Sequence, residues 1–226
     1  GDRGRGMPPS PPEAAAGDAA RSSAPGAAGA AVPPPGAACG LVYLIGPSGA
    51  GKDTLMEAAA EADPRVRPAR RFVTRAGGGR WDVSVSRREF GEMLDAGLLL
   101  FHWESHGFSY GVPAEDERSL PPERVLIVNG SREYLGRAAR IRPGIAAVMV
   151  TARQDVLRQR LTARGREAPD AIERRLARGA QAFAAPEGVA VYVLDNSGAL
   201  RESVLAFLAI VSGMADGRRR EVPRGS

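Results

Sequence analysis

Leu41-Val-Tyr-Leu-Ile-Gly-Pro-Ser-Gly-Ala-Gly-Lys-Asp-Thr54 is the stretch that decides how this chain is read. Five apolar residues in a row, Leu41 to Ile45, read as a buried parallel strand. The run Lys52 to Ala62 (KDTLMEAAAEA) reads as a helix whose N-terminus faces the glycines. Strand, Gly-x-x-x-x-Gly-Lys, helix is the context in which backbone N–H groups wrap a phosphate. Gly46, Pro47, Ser48, Gly49, Ala50, Gly51, Lys52, Asp53 and Thr54 are therefore the candidate nucleotide-phosphate site. The chain holds thirty arginines and a single lysine, and that lysine is Lys52. A narrow slot inside such a loop admits a compact ammonium and not a planar guanidinium, which explains the exception.

After the lysine such a loop carries Ser or Thr, whose hydroxyl ligates Mg²⁺; here Asp53 stands there, followed by Thr54. A carboxylate is itself a hard ligand for Mg²⁺, directly or through water. The alternative is that Asp53 only complements the helix dipole in the first turn.

Outward from this loop, 226 residues are enough for one α/β domain with tails. Residues 1–38 hold twelve Ala, eight Pro and seven Gly with almost nothing large and apolar, a composition expected to be disordered. Residues 39–215 are the expected folded core, and 216–226 a short basic tail. Met7 can serve as a natural start, and Val222-Pro-Arg-Gly-Ser226 reads as a vector remnant. The one cysteine, Cys39, excludes an internal disulfide and fits a reducing cytoplasm. No run reaches the roughly 18–20 apolar residues that span a bilayer, so no membrane is expected. Two lone histidines disfavour a zinc site. The pI is near 10, but the core arginines stand beside acids without interleaved aromatics, so no nucleic acid is expected as partner.

Along the core, strands are expected at 70–75, 97–103, 125–128, 146–151 and 189–194, and His106 to Pro113 as a turn-rich loop. Helices are expected at Ser86–Ala96, opened by the capping box Ser86-Arg-Arg-Glu89, at Gln154–Arg164, Asp170–Phe183 and Leu200–Ser212. Alternating strands and helices give an α/β, three-layer, doubly wound parallel sheet with ligands at the strands' C-terminal ends. Residues 160–178 hold six arginines against Glu167, Asp170 and Glu173, and Arg164-Gly-Arg166 interrupts the two helices at their junction. That is how a mobile lid carrying guanidinium groups is built.

Together these pieces resemble the guanylate-kinase-like branch of P-loop kinases. The carriers are the phosphate loop, Val-Thr-Arg75, Arg-Arg-Glu-Phe90, Tyr-Gly111 and the arginine-rich lid at about 160–176. Within the branch, Gly-Lys-Asp53, Arg71 with Thr-Arg75, His-Trp103, His-Gly107, Val-Asn-Gly-Ser-Arg132 and Arg-Gly-Arg-Glu167 are most similar to the ribose 1,5-bisphosphate phosphokinases. The resemblance implies ATP and Mg²⁺ as cofactors, with Asp53 the metal-linked residue. It implies an acceptor-binding insertion at about 70–120 and a phosphorylated sugar as substrate. Such an enzyme is a cytoplasmic monomer or homodimer, serving 5-phosphoribosyl 1-diphosphate synthesis in phosphonate breakdown. By the same resemblance Lys52, Arg160, Arg164 and Arg175 are the catalytic cations, and Asn196 joins the loop on the nucleotide side. Arg71, Arg75, Tyr110, Asn129 and Arg132 fall on the acceptor side. Where a guanylate kinase reads its base with Glu and Ser, this chain has Phe101 and Arg71, an exchange of base recognition for anion recognition. Arg71 is the candidate for a second substrate phosphate, with pairing to a nearby carboxylate as its alternative. A guanylate kinase and a non-catalytic interaction domain of the same branch are the other readings.

Overall fold

The computed structural model describes residues 40–165 and 168–221, with side chains to Met214 in the last helix. The expectations for residues 1–38, Cys39, Arg166, Glu167 and the final five residues lie outside the described residues.

The centre of the molecule is β1 (Leu41–Ile45), buried at all five positions as a strand covered on both faces must be. It pairs in parallel with β7 (Val125–Asn129) on one side and β8 (Ala146–Thr151) on the other. The outer strands, β2 (Val66–Pro68) and β9 (Ala190–Asp195), complete a five-stranded parallel sheet of order β2-β7-β1-β8-β9. The order reverses direction at β1, so the crevice beyond its C-terminal end is where a ligand is expected, and the glycine loop sits there. On one face Val42, Leu44, Val148 and Val150 pack with residues of α1 (Lys52–Ala62), α5 (Gln154–Ala163), α6 (Pro169–Gly179) and α7 (Leu200–Glu221). On the other, Leu41, Tyr43, Ile45 and Ala147 pack with Leu135 and Ala138 of α4 (Leu135–Ile141). This is the expected three-layer α/β architecture.

A second sheet is inserted between β2 and β7. Its four strands run in the order β4 (Asp82–Ser84), β3 (Arg71–Val73), β6 (Phe108–Pro113), β5 (Leu99–Ser105). The β3–β4 pair is parallel, while β6 is antiparallel to both β3 and β5. Its helix α2 (Arg87–Asp95) has the predicted capping box: Ser86 accepts from the Glu89 backbone N–H at 3.1 Å, and its own N–H donates to Glu89 at 2.7 Å. The short α3 (Ala114–Arg118) supplies Asp116, a buried carboxylate that accepts from the Arg70 backbone N–H at 2.6 Å and from its side chain.

The segment His106–Pro113, expected as a loop, is largely strand β6. His106 (φ 52°) and Gly107 (φ 76°) take up the whole reversal, both left-handed as a two-residue hairpin turn demands. Phe108 then pairs directly with Ser105. Gly111 and Pro113, which suggest a loop, lie within the ladder. Helix α6 stops at Gly179, short of Phe183, whereas α7 continues past Ser212 to Glu221. Strands β2 and β4 and helices α3 and α4 were not expected; each is short, three to seven residues, and too brief to show a period. Among the described residues no helix is long and apolar enough to cross a membrane.

Candidate active site

Two close backbone approaches shape the glycine loop. Gly46 (φ +146°) passes so near β8 that a Cβ would stand 2.1 Å from the Val150 carbonyl oxygen. Gly51 (φ +86°) is left-handed and leaves room for Asn196, whose amide nitrogen would lie 2.6 Å from any Cβ. Lys52 follows and folds back into the loop, donating from Nζ to the carbonyls of Gly46 (2.8 Å) and Pro47 (3.1 Å). Burial pushes its amine down to about 8; Asp53 opposes this, while Arg71, Arg164 and Arg132 add to it. The loop's own carbonyls hold the ammonium.

Arg160 and Asn196 hold the loop from behind. The Asn196 amide donates to the Ala50 carbonyl at 2.7 Å, and Arg160 donates to Ala50 at 3.4 Å and to the Asn196 carbonyl at 2.9 Å. Asn196 is buried, and its side-chain oxygen has no hydrogen-bond partner among the described residues. Ala50, Thr54, Arg160 and Asn196 do not line the cleft in front of the loop. Arg160, expected to reach the same phosphates as Arg164 and Arg175, has its guanidinium engaged by main-chain carbonyls.

The cleft encloses about 280 Å³. Gly46, Pro47, Ser48, Gly49, Gly51, Lys52 and Asp53 form its floor. Arg71, Arg75, Tyr110, Asn129 and Arg132 line it from the inserted sheet and the end of β7, and Arg164 and Arg175 from the helix pair α5–α6. The structure thus gathers fourteen of the predicted residues, spread over 130 positions of sequence from Gly46 to Arg175, around one opening. Asp53 sits in the first turn of α1, but the helix is capped by Gly51 with no side-chain bond. Its carboxylate instead accepts from the Asn129 amide at 2.5 Å, so it does more than complement the dipole.

On the acceptor side the organising group is one that the sequence reading missed. Asp82, its side chain only 3% exposed, accepts from Arg71 Nε (2.8 Å) and Nη2 (3.1 Å), from Arg75 Nη2 (3.2 Å) and from the Gly79 backbone N–H (3.0 Å). Arg71 also donates to the Asn129 carbonyl at 2.9 Å and stands 5.4 Å from the centre of the Tyr110 ring. The carboxylate pairing offered as its alternative is what the structure has, although Arg71 still borders the cleft. Tyr110 stacks on Trp103 with ring centres 5.7 Å apart and planes 7° from parallel. Phe101 is not in the cleft: it is fully buried, edge-on to Tyr43 at 5.9 Å and to Tyr134 at 6.3 Å. The inference drawn from Phe101 as a base-site position is corrected accordingly, because the pleat of β5 turns it into the core.

The hairpin tip meets the lid region. Arg178 of α6 lies 3.4 Å from the His106 ring, and its carbonyl accepts from Arg132 at 3.1 Å. Helices α5 and α6 are joined by Arg158 and Glu173 at 2.8 Å, and the chain between them turns at Gly165 (φ +60°). Trp103, His106 and Arg178 also line the cleft; in the sequence they read as parts of motifs and of the arginine cluster but not as site residues, because a strand tip and a helix end that meet in space leave no local pattern.

No family model matches the chain. A ribose 1,5-bisphosphate phosphokinase PhnN of Burkholderia pseudomallei (strain K96243) is 40% identical over 178 residues, covering 77% of this chain and 96% of that protein. The protein of the same name from Pseudomonas paraeruginosa (strain DSM 24068 / PA7) is 42% identical over 177 residues, 76% of this chain and 95% of its own. That of Ruegeria sp. (strain TM1040) is 41% identical over 174 residues, with shares of 76% and 90%. Among solved structures, a guanylate kinase from Anaplasma phagocytophilum superposes with a TM-score of 0.57 at 19% identity, over 79% of this chain and 88% of that one, a likeness of fold. With a two-sheet P-loop fold, a lysine-bearing glycine loop and near-full-length relatives at this identity, the chain belongs to the ribose 1,5-bisphosphate phosphokinase PhnN family.

Proposed function

We propose that the chain transfers the γ-phosphoryl group of ATP to the 1-phosphate of ribose 1,5-bisphosphate, giving 5-phosphoribosyl 1-diphosphate and ADP. The observation that carries this reading is the charge of the cleft. Among the described residues, Lys52, Arg71, Arg75, Arg132, Arg164, Arg175 and Arg178 line it against two carboxylates, Asp53 and Glu133. That surplus suits two polyanions meeting end to end.

An oxygen of the acceptor phosphate attacks the γ-phosphorus, the bond from that phosphorus to the β–γ bridging oxygen breaks, and ADP leaves with the electron pair. A phosphate monoester has its second pKa at about 6, so the attacking oxygen is already an anion and no general base is required. What remains is alignment and charge neutralisation. Lys52, released from the Gly46 and Pro47 carbonyls, neutralises the β- and γ-phosphates. Arg164 and Arg175 cover the transferring group from the lid, at about 160–176, while Arg160 and Asn196 keep the loop in place. The region at about 70–120 binds the acceptor through Arg75, with Arg71, Tyr110, Asn129 and Arg132 around it.

The donor set fits Mg²⁺: Asp53 is an exposed carboxylate at the mouth of the loop, a hard oxygen ligand beside the amide of Asn129. When bound, the ion supplies charge neutralisation on the phosphates. A coupled assay of ADP release with ribose 1,5-bisphosphate, ribose 5-phosphate, GMP and AMP tests the reading. Ribose 1,5-bisphosphate is expected to give the highest kcat/KM, and faster turnover of GMP would overturn the assignment.

A further inference from the structure

We propose that Asp82 is the positioning residue of the acceptor site, binding Arg71 and Arg75 into a single phosphate clamp and tying that clamp to Asp53 through Asn129. The inference deepens the reaction proposed above and rests on it.

Four N–H donors converge on this one carboxylate: two from Arg71, one from Arg75 and the backbone of Gly79, all between 2.8 and 3.2 Å. Two carboxylate oxygens offer about four lone-pair sites, and four donors already engage this carboxylate, three of them on Oδ2 and one on Oδ1. Its work is on the arginines. Two guanidinium groups brought side by side repel, more so where burial thins the solvent; a shared buried anion cancels one charge and lets both stay. Arg71 and Arg75 have side chains 15% and 31% exposed, so the clamp is held at the cleft wall and still opens on the solvent-filled side.

The chain of bonds continues inward. Arg71 donates to the Asn129 carbonyl at 2.9 Å, and the Asn129 amide donates to Asp53 at 2.5 Å. Acceptor side and phosphate loop are thereby linked through four residues, Asp82, Arg71, Asn129 and Asp53, the step at Asn129 passing from its main-chain carbonyl to its side-chain amide. The neighbouring pair is a useful contrast. Arg70 and Asp116 are bonded just as closely, at 2.6 Å, but Asp116 also accepts from the Arg70 backbone, and neither residue borders the cleft. That pair pins β3 to α3, whereas the Asp82 pair faces the substrate.

The test is steady-state kinetics of Asp82→Asn and Asp82→Glu, with thermal unfolding run in parallel. Asp82→Asn keeps the shape and removes the charge; it is expected to raise KM for the acceptor by roughly tenfold to a hundredfold, the cost of a misplaced binding group. KM for ATP should stay within about twofold, since the loop is held by its own carbonyl contacts. Asp82→Glu, with its charge kept, should fall between Asn and wild type. Lower thermal stability with both KM values unchanged, or an equal rise in both, would overturn the clamp and leave Asp82 a pin of the inserted sheet. If Asp82→Asn does not fold, Asp82→Glu decides alone: a selective rise in acceptor KM supports the clamp, and an unchanged one overturns it. Wild type is run on the full acceptor panel first. Should it prefer GMP, the reaction reading fails there, and the Asp82 effect is then read on GMP as an independent result.

Discussion

The two halves of this cleft are held in place by different kinds of matter. On the nucleotide side the contacts are mostly main chain: Gly46 against Val150, the Ala50 carbonyl taking Asn196 and Arg160, the Gly46 and Pro47 carbonyls taking Lys52. On the acceptor side they are mostly side chain to side chain, with Asp82 between two arginines, Asn129 on Asp53, and Tyr110 between Trp103 and Arg71. A main-chain cradle needs residues of fixed type at fixed spacing, because only glycine tolerates the approach. A side-chain network needs only that partners arrive from somewhere. The first half is therefore rigid and common to phosphate-binding folds, and the second is where a different substrate can be accommodated.

The largest effect should come from Lys52, the cation inside the main-chain loop. Lys52→Ala is expected to cost about a hundredfold or more in kcat/KM without unfolding, and Lys52→Arg should not restore it, since the slot between two carbonyls takes an ammonium. A Lys52→Arg enzyme within a few-fold of wild type would break the contrast, because a planar fork would then serve in a slot argued to take only a point charge. A pH effect follows with a definite sign. Burial lowers the Lys52 pKa to about 8, so in the free enzyme the ammonium is charged below that value and lost above it. kcat/KM for ATP should thus fall as pH rises through about 8, and this limb should vanish in Lys52→Ala.

Next come the lid arginines, which line the cleft from the helix pair α5–α6. Arg164→Ala and Arg175→Ala are expected to lower kcat by about tenfold to a hundredfold while raising KM less, because their contacts strengthen in the transition state. Arg160→Ala should differ from them, although it lies one helical turn before Arg164. Its bonds go to the Ala50 and Asn196 carbonyls, so KM for ATP should rise by about tenfold with kcat largely kept. If all three variants lose kcat alike, Arg160 leaves the loop when substrate binds, and the nucleotide side is less rigid than its hydrogen bonds suggest.

The same contrast explains what was legible in the sequence. Strand β1, helix α1 and the loop between them were readable to the residue, as were β8 and the capping box at Ser86, because local pattern and local structure coincide there. The acceptor half was read as a collection of cations without their organiser. Asp82 sits in Arg80-Trp-Asp-Val83, an exposed-looking stretch, and is buried only because β3 and β4 pair and bring Arg71 opposite it. Phe101 failed for a related reason: a position in a strand does not tell which face the pleat presents, and here that face is the core. An acid placed there would be buried without a partner, so Phe101→Glu reports on folding and cannot report on base recognition. The hairpin at His106 was missed because glycine inside a ladder looks like glycine in a loop.

The smallest expected effect lies at the seam between the halves, and it tests whether they are coupled. Asp53 belongs to α1 and the phosphate loop, yet its bond is to Asn129 at the end of β7, which in turn accepts from Arg71. If Asp53 holds Mg²⁺, Asp53→Ala should raise the Mg²⁺ concentration for half-maximal rate by a factor of about three to ten, with Asp53→Thr restoring much of it, since a hydroxyl is the usual ligand at this place. Asn129→Ala leaves the carboxylate in place but removes the amide that aims it, so its shift should be in the same direction and smaller. The three results order themselves only if the carboxylate meets the metal and the amide acts through it. An unchanged Mg²⁺ requirement in Asp53→Ala would leave the residue with its place in the helix dipole and its bond to Asn129, a stability role worth about 1 kcal/mol. The acceptor network would then end at Asn129 without reaching the reacting phosphates.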